Sequence, residues 1–331
     1  MVSDEQPGPW HDPGFLADAR AWVAARLAEL DTSITGPIEQ IHARAWSTVL
    51  RVPTRDGHVY FKANAENLRH EAALVSFLAA RRPDCIPAPI AADHERGWML
   101  MADAGTRLRE LVAGERSVER WLDVLPLYAS VQRDLATDVD PLLRLGVPDL
   151  RLAVLPARFE GLLDELEAQP GLDGADGMTG ELRRRLREAV PRMTRQCEEL
   201  AALGIPETIQ HDDLNDGQVF VRDGRYLLMD WADACVSHPF FSMSVALEGV
   251  IAWGVDDVEG SVDLAPYRAA YLRPFEEARA AARQPGAVVL DRALAIALRL
   301  GWACRAVNDQ WPGSGARQTI VRLRMFLDGK A

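Results

Sequence analysis

Lysine is nearly absent from this chain. Of its 37 basic residues only Lys62 and Lys330 are lysines, and the rest are arginines. A GC-rich coding sequence would produce such a bias. It nonetheless marks Lys62 as a position that keeps a compact ammonium ion rather than a planar guanidinium. Cysteine is sparse as well. Cys85, Cys197, Cys235 and Cys304 are widely scattered, with no CxxC or Cys/His spacing. That argues against a zinc site and points to a reducing, cytoplasmic setting. Residues 1–12 lack the apolar core of a signal peptide. No apolar run approaches the roughly 20 residues of a membrane span, and there is no internal repeat at 20–50 residue spacing. Positive charge is in deficit: the net charge of −12 argues against nucleic acid or an anionic membrane as partner.

Glycine signatures are missing too. There is no GxxxxGK(S/T), GxGxxG or GxSxG, so a P-loop, a dinucleotide fingerprint and a nucleophile-elbow hydrolase are unsupported. What remains is an ordinary globular composition, 48% hydrophobic and 26% charged over 331 residues, enough for one large domain or two lobes.

The stretch 209–233 carries the densest chemistry. Ile209 leads into His211-Asp212-Asp213-Leu214, a polar loop and Gln218. Two alternating runs follow, joined by the hairpin signal Asp223-Gly224, and the second ends on Asp230. Closure of such a hairpin would bring Asp213, Gln218 and Asp230 together as hard-oxygen ligands suited to Mg²⁺. Asp213 also has the form of a loop-held base for a hydroxyl acceptor in phosphoryl transfer. His211 reads as a brace for the loop, and His238 as a structural residue. Asp233 fits a metal contact, a substrate contact or a helix cap.

Upstream, the apolar spacing predicts a helix over 14–30 and strands over 38–42, 48–52, 58–63, 90–92 and 98–102. A helix over 68–82 falls between the third and fourth. Lys62 lies near the end of the third strand and Glu71 in the first turns of the inserted helix. That placement suits a phosphate-facing ammonium steadied by a carboxylate. Ser47 and Thr48, after a glycine-free turn, offer further phosphate donors. Beyond residue 105 the helical period dominates, with candidates at 106–113, 117–136, 154–168, 179–203, 240–253, 263–283, 288–306 and 315–328. Pro191 should kink or split the fourth of these, and the Gly/Asp-rich 169–178 reads as a mobile loop. Strands early and helices late give an α+β protein of two lobes, with a hinge near 101–105.

With these residues in place, the chain resembles the aminoglycoside phosphotransferase and choline kinase group. The likeness is carried by His211-Asp212-Asp213-Leu214 with Gln218, by Met229-Asp230-Trp231-Ala232-Asp233, by Lys62 and Glu71, and by Leu100–Gly105. It implies a bilobal protein-kinase-like fold. The N-lobe over 1–103 would hold a five-stranded antiparallel sheet with an inserted helix, and the mostly helical C-lobe would span 104–331. By the same resemblance, Asp213 is the base and Asp230 the principal Mg²⁺ ligand. Lys62 contacts the α/β-phosphates, Glu71 orients it, and backbone groups of Met101–Asp103 bind the purine of ATP or GTP. The chain departs from the pattern at Gln218, where the group usually has Asn as a metal ligand, and at His238-Pro239, where it often has Asp-Pro. The implied activity is transfer of the γ-phosphate to a hydroxyl of a small natural product, an antibiotic above all, with resistance as the outcome. A small-metabolite kinase and a nucleotide-binding pseudokinase are the alternatives. Candidate acceptor contacts are Asp233, Glu248, Asp256 and Trp253, with Asp257, Glu259, Asp263, Trp302 and Trp311 nearby in sequence. Oligomeric state is not legible.

Overall fold

The computed structural model describes residues 9–169, 172, 177–284, 286–309 and 315–328. Within them the chain divides into two units. Unit 1 holds residues 9–106 and 220–232; unit 2 holds 107–219, 233–309 and 315–328. The sequence reading placed a single boundary at 103/104. The structure instead returns the hairpin after Asp213 to the first unit.

Unit 1 opens with helix α1 (Pro13–Glu29). Asp12 caps it, its carboxylate accepting from Gly14 N at 2.9 Å, and Pro13 takes the first helical position, where no N–H is needed. Strands β1 (Glu39–Arg44), β2 (Ser47–Thr54), β3 (Gly57–Asn64), β4 (Ala91–Asp93) and β5 (Trp98–Ala102) form one antiparallel sheet in the order β1-β2-β3-β5-β4. Helix α2 (Glu71–Arg81) is inserted between β3 and β4, after a short 3-10 turn at Glu66–Leu68. Ala19, Val23 and Leu27, one stripe of α1, pack on Leu50, Val52, Phe61, Ala63, Trp98 and Leu100. Strand alternation then decides which side chains face away from α1. Phe61 pairs with Leu100 on the α1 side, and Lys62 pairs with Met99 on the opposite side.

In unit 2 the helices are α3 (Leu108–Glu115), α4 (Trp121–Asp134), α5 (Val139–Arg144), α6 (Leu155–Ala168), α7 (Gly180–Ala202), α8 (Ala265–Ala281), α9 (Ala287–Asn308) and α10 (Ala316–Asp328). The two-residue strand β6 (Thr106–Arg107) falls at the unit boundary. Strand β7 (Thr208–Gln210) leads into the polar loop. Strands β8 (Val219–Arg222) and β9 (Arg225–Leu228) make the hairpin, and β10 (Cys235–Ser237) pairs antiparallel with β7.

Two expectations need correction. Pro191 does not split the helix: it sits inside α7, which spans Gly180–Ala202. The stretch 240–253 is not one α-helix but a 3-10 turn (Pro239–Ser242), a π-helical segment (Ser244–Val250) and a second 3-10 turn (Ile251–Trp253). Helix α5 and strands β7 and β10 had no periodic signal, being six residues or fewer. The proposed loop at 169–178 falls mostly outside the described residues, as do Trp311 and Lys330.

Candidate active site

Lys62 ends up almost out of water, with 7% exposure. Its Nζ donates to Glu71 Oε1 at 2.8 Å and to Asp230 Oδ1 at 2.7 Å. Burial alone would pull its pKa down, but the carboxylates of Asp230 and Glu71 outweigh that and raise it above the ordinary lysine range. Glu71, at 1% exposure, is the first residue of α2, where a carboxylate also favours the helix dipole. Its second oxygen accepts from Asn64 Nδ2 at 2.6 Å. Asp230 follows β9 in a left-handed conformation, φ 61°, with its side chain 44% exposed. Its neighbour Trp231 is fully buried and bonds Leu228 O at 3.1 Å.

The other nucleotide-site expectations fare differently. Met101 pairs with Tyr60 and so shares the face of Lys62. Asp103 turns its carboxylate back to Gly105 N at 2.7 Å. It lines a cavity of about 550 Å³ with Leu27, Val59 and Ala102, residues on the α1 side of the sheet. Gly105 has φ 88°, and any Cβ there would run into the Val221 carbonyl, so this position needs glycine. Ser47 and Thr48 do not present hydroxyls to a ligand. Both are buried; Ser47 Oγ lies 3.3 Å from His42 Nε2, and Thr48 Oγ1 donates to His42 O at 2.8 Å. The sheet's own interior claims them.

In unit 2, the loop after β7 is fastened from below. His211 N donates to Tyr128 Oη at 2.7 Å, and Tyr128 lies 2.6 Å from Ser242 Oγ. Gln132 Nε2 donates to Pro239 O at 2.7 Å, and Tyr271 donates to Gln132 Oε1 at the same distance. Every member of this network is buried or nearly so, which fixes one conformation of the loop. His211 braces the loop, its Nδ1 accepting from Asp213 N at 3.2 Å. His238, also buried, accepts from Phe240 N through Nδ1. Burial pulls its pKa down to about 3, so it is a neutral cap.

Asp213 is held at both oxygens. Oδ1 accepts from Arg305 Nη2 at 2.5 Å, and Oδ2 accepts from Asn215 Nδ2 at 2.9 Å and Gln218 Nε2 at 3.3 Å. Its side chain remains 23% exposed. Asn215 further closes the loop by accepting from Gly217 N at 2.8 Å, and Arg109 binds Asp216 Oδ1 at 2.8 Å. The structure thus brings Gln218 to Asp213, both in unit 2, and Asp230 to Lys62, both in unit 1.

The acceptor expectations divide. Asp233 is buried at 6%, 3.8 Å from His211 Nδ1, and its carbonyl accepts from Asn308 Nδ2 at 2.7 Å. It supports the loop and is not an open acceptor contact. Asp256 is exposed and paired with Arg116 at 2.6 Å. Glu248 is half-buried in the π-helical segment, bonded by Trp302 Nε1 at 3.1 Å, and burial pushes its pKa up. Trp253 is half-buried at the end of the second 3-10 turn.

Sequence reasoning missed Arg305, Asn308, Asn215, Arg109 and Asn64. A signal existed for Arg305: a single charge in the otherwise apolar end of α9, Leu300–Val307.

Among the described residues, no group of three or more His, Cys, Asp or Glu could hold a metal by itself. Mg²⁺ at nucleotide sites takes one or two carboxylates and completes its shell with phosphates and water, so the half-exposed Asp230 carboxylate fits it. Gln218 turns its amide nitrogen to Asp213, which leaves the amide oxygen as the donor of the kind a hard cation takes.

A strand lysine clamped by a helix carboxylate, and a loop aspartate after a short strand, belong to the protein-kinase-like fold. Solved structures share it. An ethanolamine kinase from Plasmodium vivax superposes with a TM-score of 0.60 at 11% identity, over 96% of this chain and 89% of that one. The APH(2")-IIa protein in its streptomycin–ATP ternary complex gives 0.58 at 14% identity, over 95% and 96%. A type I macrolide 2'-phosphotransferase gives 0.53 at 14% identity, over 87% and 89%. No family model matches the chain, and no curated protein matches it.

Proposed function

We propose that this protein is an ATP-dependent O-phosphotransferase that uses Mg²⁺ and phosphorylates a hydroxyl of a small molecule. The observation that carries this is the buried Lys62 ammonium held between Glu71 and Asp230. Two carboxylates on one lysine keep it charged and aimed, as binding of nucleotide phosphates requires. Asp230 is the carboxylate that would hold Mg²⁺, and the bound metal would supply charge neutralisation for the transferred phosphoryl group. Asp213 is the acceptor-side group. The acceptor oxygen bonds to the γ-phosphorus, the bond from that phosphorus to the bridging oxygen breaks, ADP leaves, and Asp213 takes the hydroxyl proton.

The acceptor we favour is a natural-product antibiotic, with resistance as the result, and the cytoplasm as the place where ATP is at hand. Support comes from the macrolide 2'-phosphotransferase and the streptomycin-bound protein among the structures that share this fold. The ethanolamine kinase among them supports the second reading, an amino-alcohol kinase. GTP is tested beside ATP.

The test is a labelled-phosphate transfer panel of aminoglycosides, macrolides, choline and ethanolamine, with Asp213→Ala as control. Mg²⁺-dependent labelling of an antibiotic is expected. Labelling of choline or ethanolamine alone would select the second reading. No labelling, with equal ATP hydrolysis by both proteins, would leave a nucleotide-binding pseudokinase.

A further inference from the structure

One face of α9 grips the functional segments of unit 2 at regular intervals. Trp302, Arg305 and Asn308 are spaced three apart, so they lie along one stripe of the helix. Trp302 Nε1 bonds Glu248 Oε2 at 3.1 Å, and Arg305 Nη2 bonds Asp213 Oδ1 at 2.5 Å. Asn308 Nδ2 bonds both Asp212 Oδ2 at 3.1 Å and Asp233 O at 2.7 Å. Arg305 is the centre of this stripe in charge as well as position. The carboxylates of Asp213, Asp212 and Asp233 all act on it, and against burial they raise its pKa above the ordinary arginine range. Beyond them Asp309 pairs with Arg322 of α10. Asp212 and Asp233 are each 6% exposed. Three carboxylates so close and so poorly hydrated need a cation among them.

We propose that Arg305 is a positioning residue for phosphoryl transfer: it fixes the Asp213 carboxylate, through Oδ1, in the orientation that receives the acceptor hydroxyl. This rests on the phosphotransferase reading above. The arrangement divides the work on Asp213. The neutral amides of Asn215 and Gln218 hold Oδ2 from within the loop, and a charged group from a rigid 22-residue helix holds Oδ1. A loop carboxylate with amide partners alone can pivot about Cβ. A guanidinium anchored in a helix removes that freedom, and small misplacements of a catalytic group cost large factors in rate. The same helix carries Trp302 and, through it, holds Glu248 of the π-helical segment.

The experiment is a double-mutant cycle of Arg305→Met and Asp213→Asn, with Arg305→Lys as the conservative variant, read in kcat, KM and unfolding midpoint. Arg305→Met should lower kcat by about 100-fold, with the ATP dissociation constant within about threefold of the parent, since the carboxylates it meets, Asp212, Asp213 and Asp233, all belong to unit 2. Arg305→Lys should recover most of that loss. In the Asp213→Asn background, Arg305→Met should change kcat by less than about threefold, because its effect passes through the carboxylate. Parental kcat in Arg305→Met, or an equal loss in both backgrounds, would overturn the proposal. If no acceptor is turned over, the phosphotransferase reading fails on its own. The Arg305 cycle is then read on basal ATP hydrolysis and on unfolding midpoints, where additive effects would sink it.

Discussion

Lys62 Nζ lies 2.7 Å from Asp230 Oδ1, although 168 residues of chain separate them. The lysine that sequence composition singles out is therefore bonded to the carboxylate that the metal would use, and Glu71 holds it from the other side at 2.8 Å.

Lys62→Met should be costly in two separate ways. It leaves Glu71 buried at 1% exposure with its main counter-charge gone, a loss of about 3–5 kcal/mol of stability. It should also weaken ATP binding by at least about tenfold. Denaturant unfolding and calorimetric titration read the two effects independently. Lys62→Arg keeps the charge but not the compact geometry, and should restore stability more than nucleotide affinity.

Asp230 sits at φ 61°, a conformation that Asn adopts readily and Ala does not. Asp230→Asn should keep the parental unfolding midpoint within a few degrees yet lower kcat by about 100-fold or more, with saturation by Mg²⁺ lost. Asp230→Ala should add about 1–3 kcal/mol of backbone cost to the same loss of rate. Equal stability of the two variants would show that the left-handed turn is not required.

His238 is neutral and buried, its pKa pulled down by burial to about 3. The unfolded chain binds its proton near pH 6.5, the folded chain only near 3. Between those values the unfolded state holds more protons, so this contribution is complete above about pH 6.5 and is lost as pH falls toward 3. The slope is at most about 1.4 kcal/mol per pH unit. His238→Asn can still accept from Phe240 N and does not titrate. Its stability, followed by urea unfolding from pH 7 to 4, should fall less steeply than the parent's.

Gly301 lies where α9 passes the turn Pro239–Ser242 and the segment that follows. A Cβ there would clash with Ser244 Oγ and stand 2.6 Å from the Phe241 carbonyl oxygen. Gly301→Ala should therefore cost about 1–3 kcal/mol. It should also shift the helix that carries Arg305, and so reduce kcat with ATP affinity unchanged. Parental stability and rate together would contradict this packing.

Much of unit 1 was readable because its signals are periodic. The five strands, the inserted helix and the positions of Lys62 and Glu71 follow from alternation, turn residues and one helical stripe. The loop carrying Asp213 and the hairpin before Asp230 were marked by polar residues and Asp223-Gly224. Contacts without local periodicity were not readable. Nothing near Ser47 or Thr48 in sequence says that His42 takes their hydroxyls, and nothing near Asp213 names Arg305, 92 residues away. The irregular turns over 239–253 were hidden because their composition matches an α-helix; in the structure Phe241 and Ser244 come close to Gly301 of α9.

The sequence by itself determined which chemical groups exist and on which local elements they ride, because helix and strand periods and turn chemistry are short-range. It supplied a lone useful lysine, a loop aspartate, an amide and an aspartate after a hairpin. Tertiary structure alone decided the pairings: Lys62 with Asp230, Asp213 with Arg305, and Asp233 turned inward rather than toward an acceptor. The reason is physical. A buried charge must find its partner in space, and that partner is set by which faces pack together, a long-range property that no local pattern encodes.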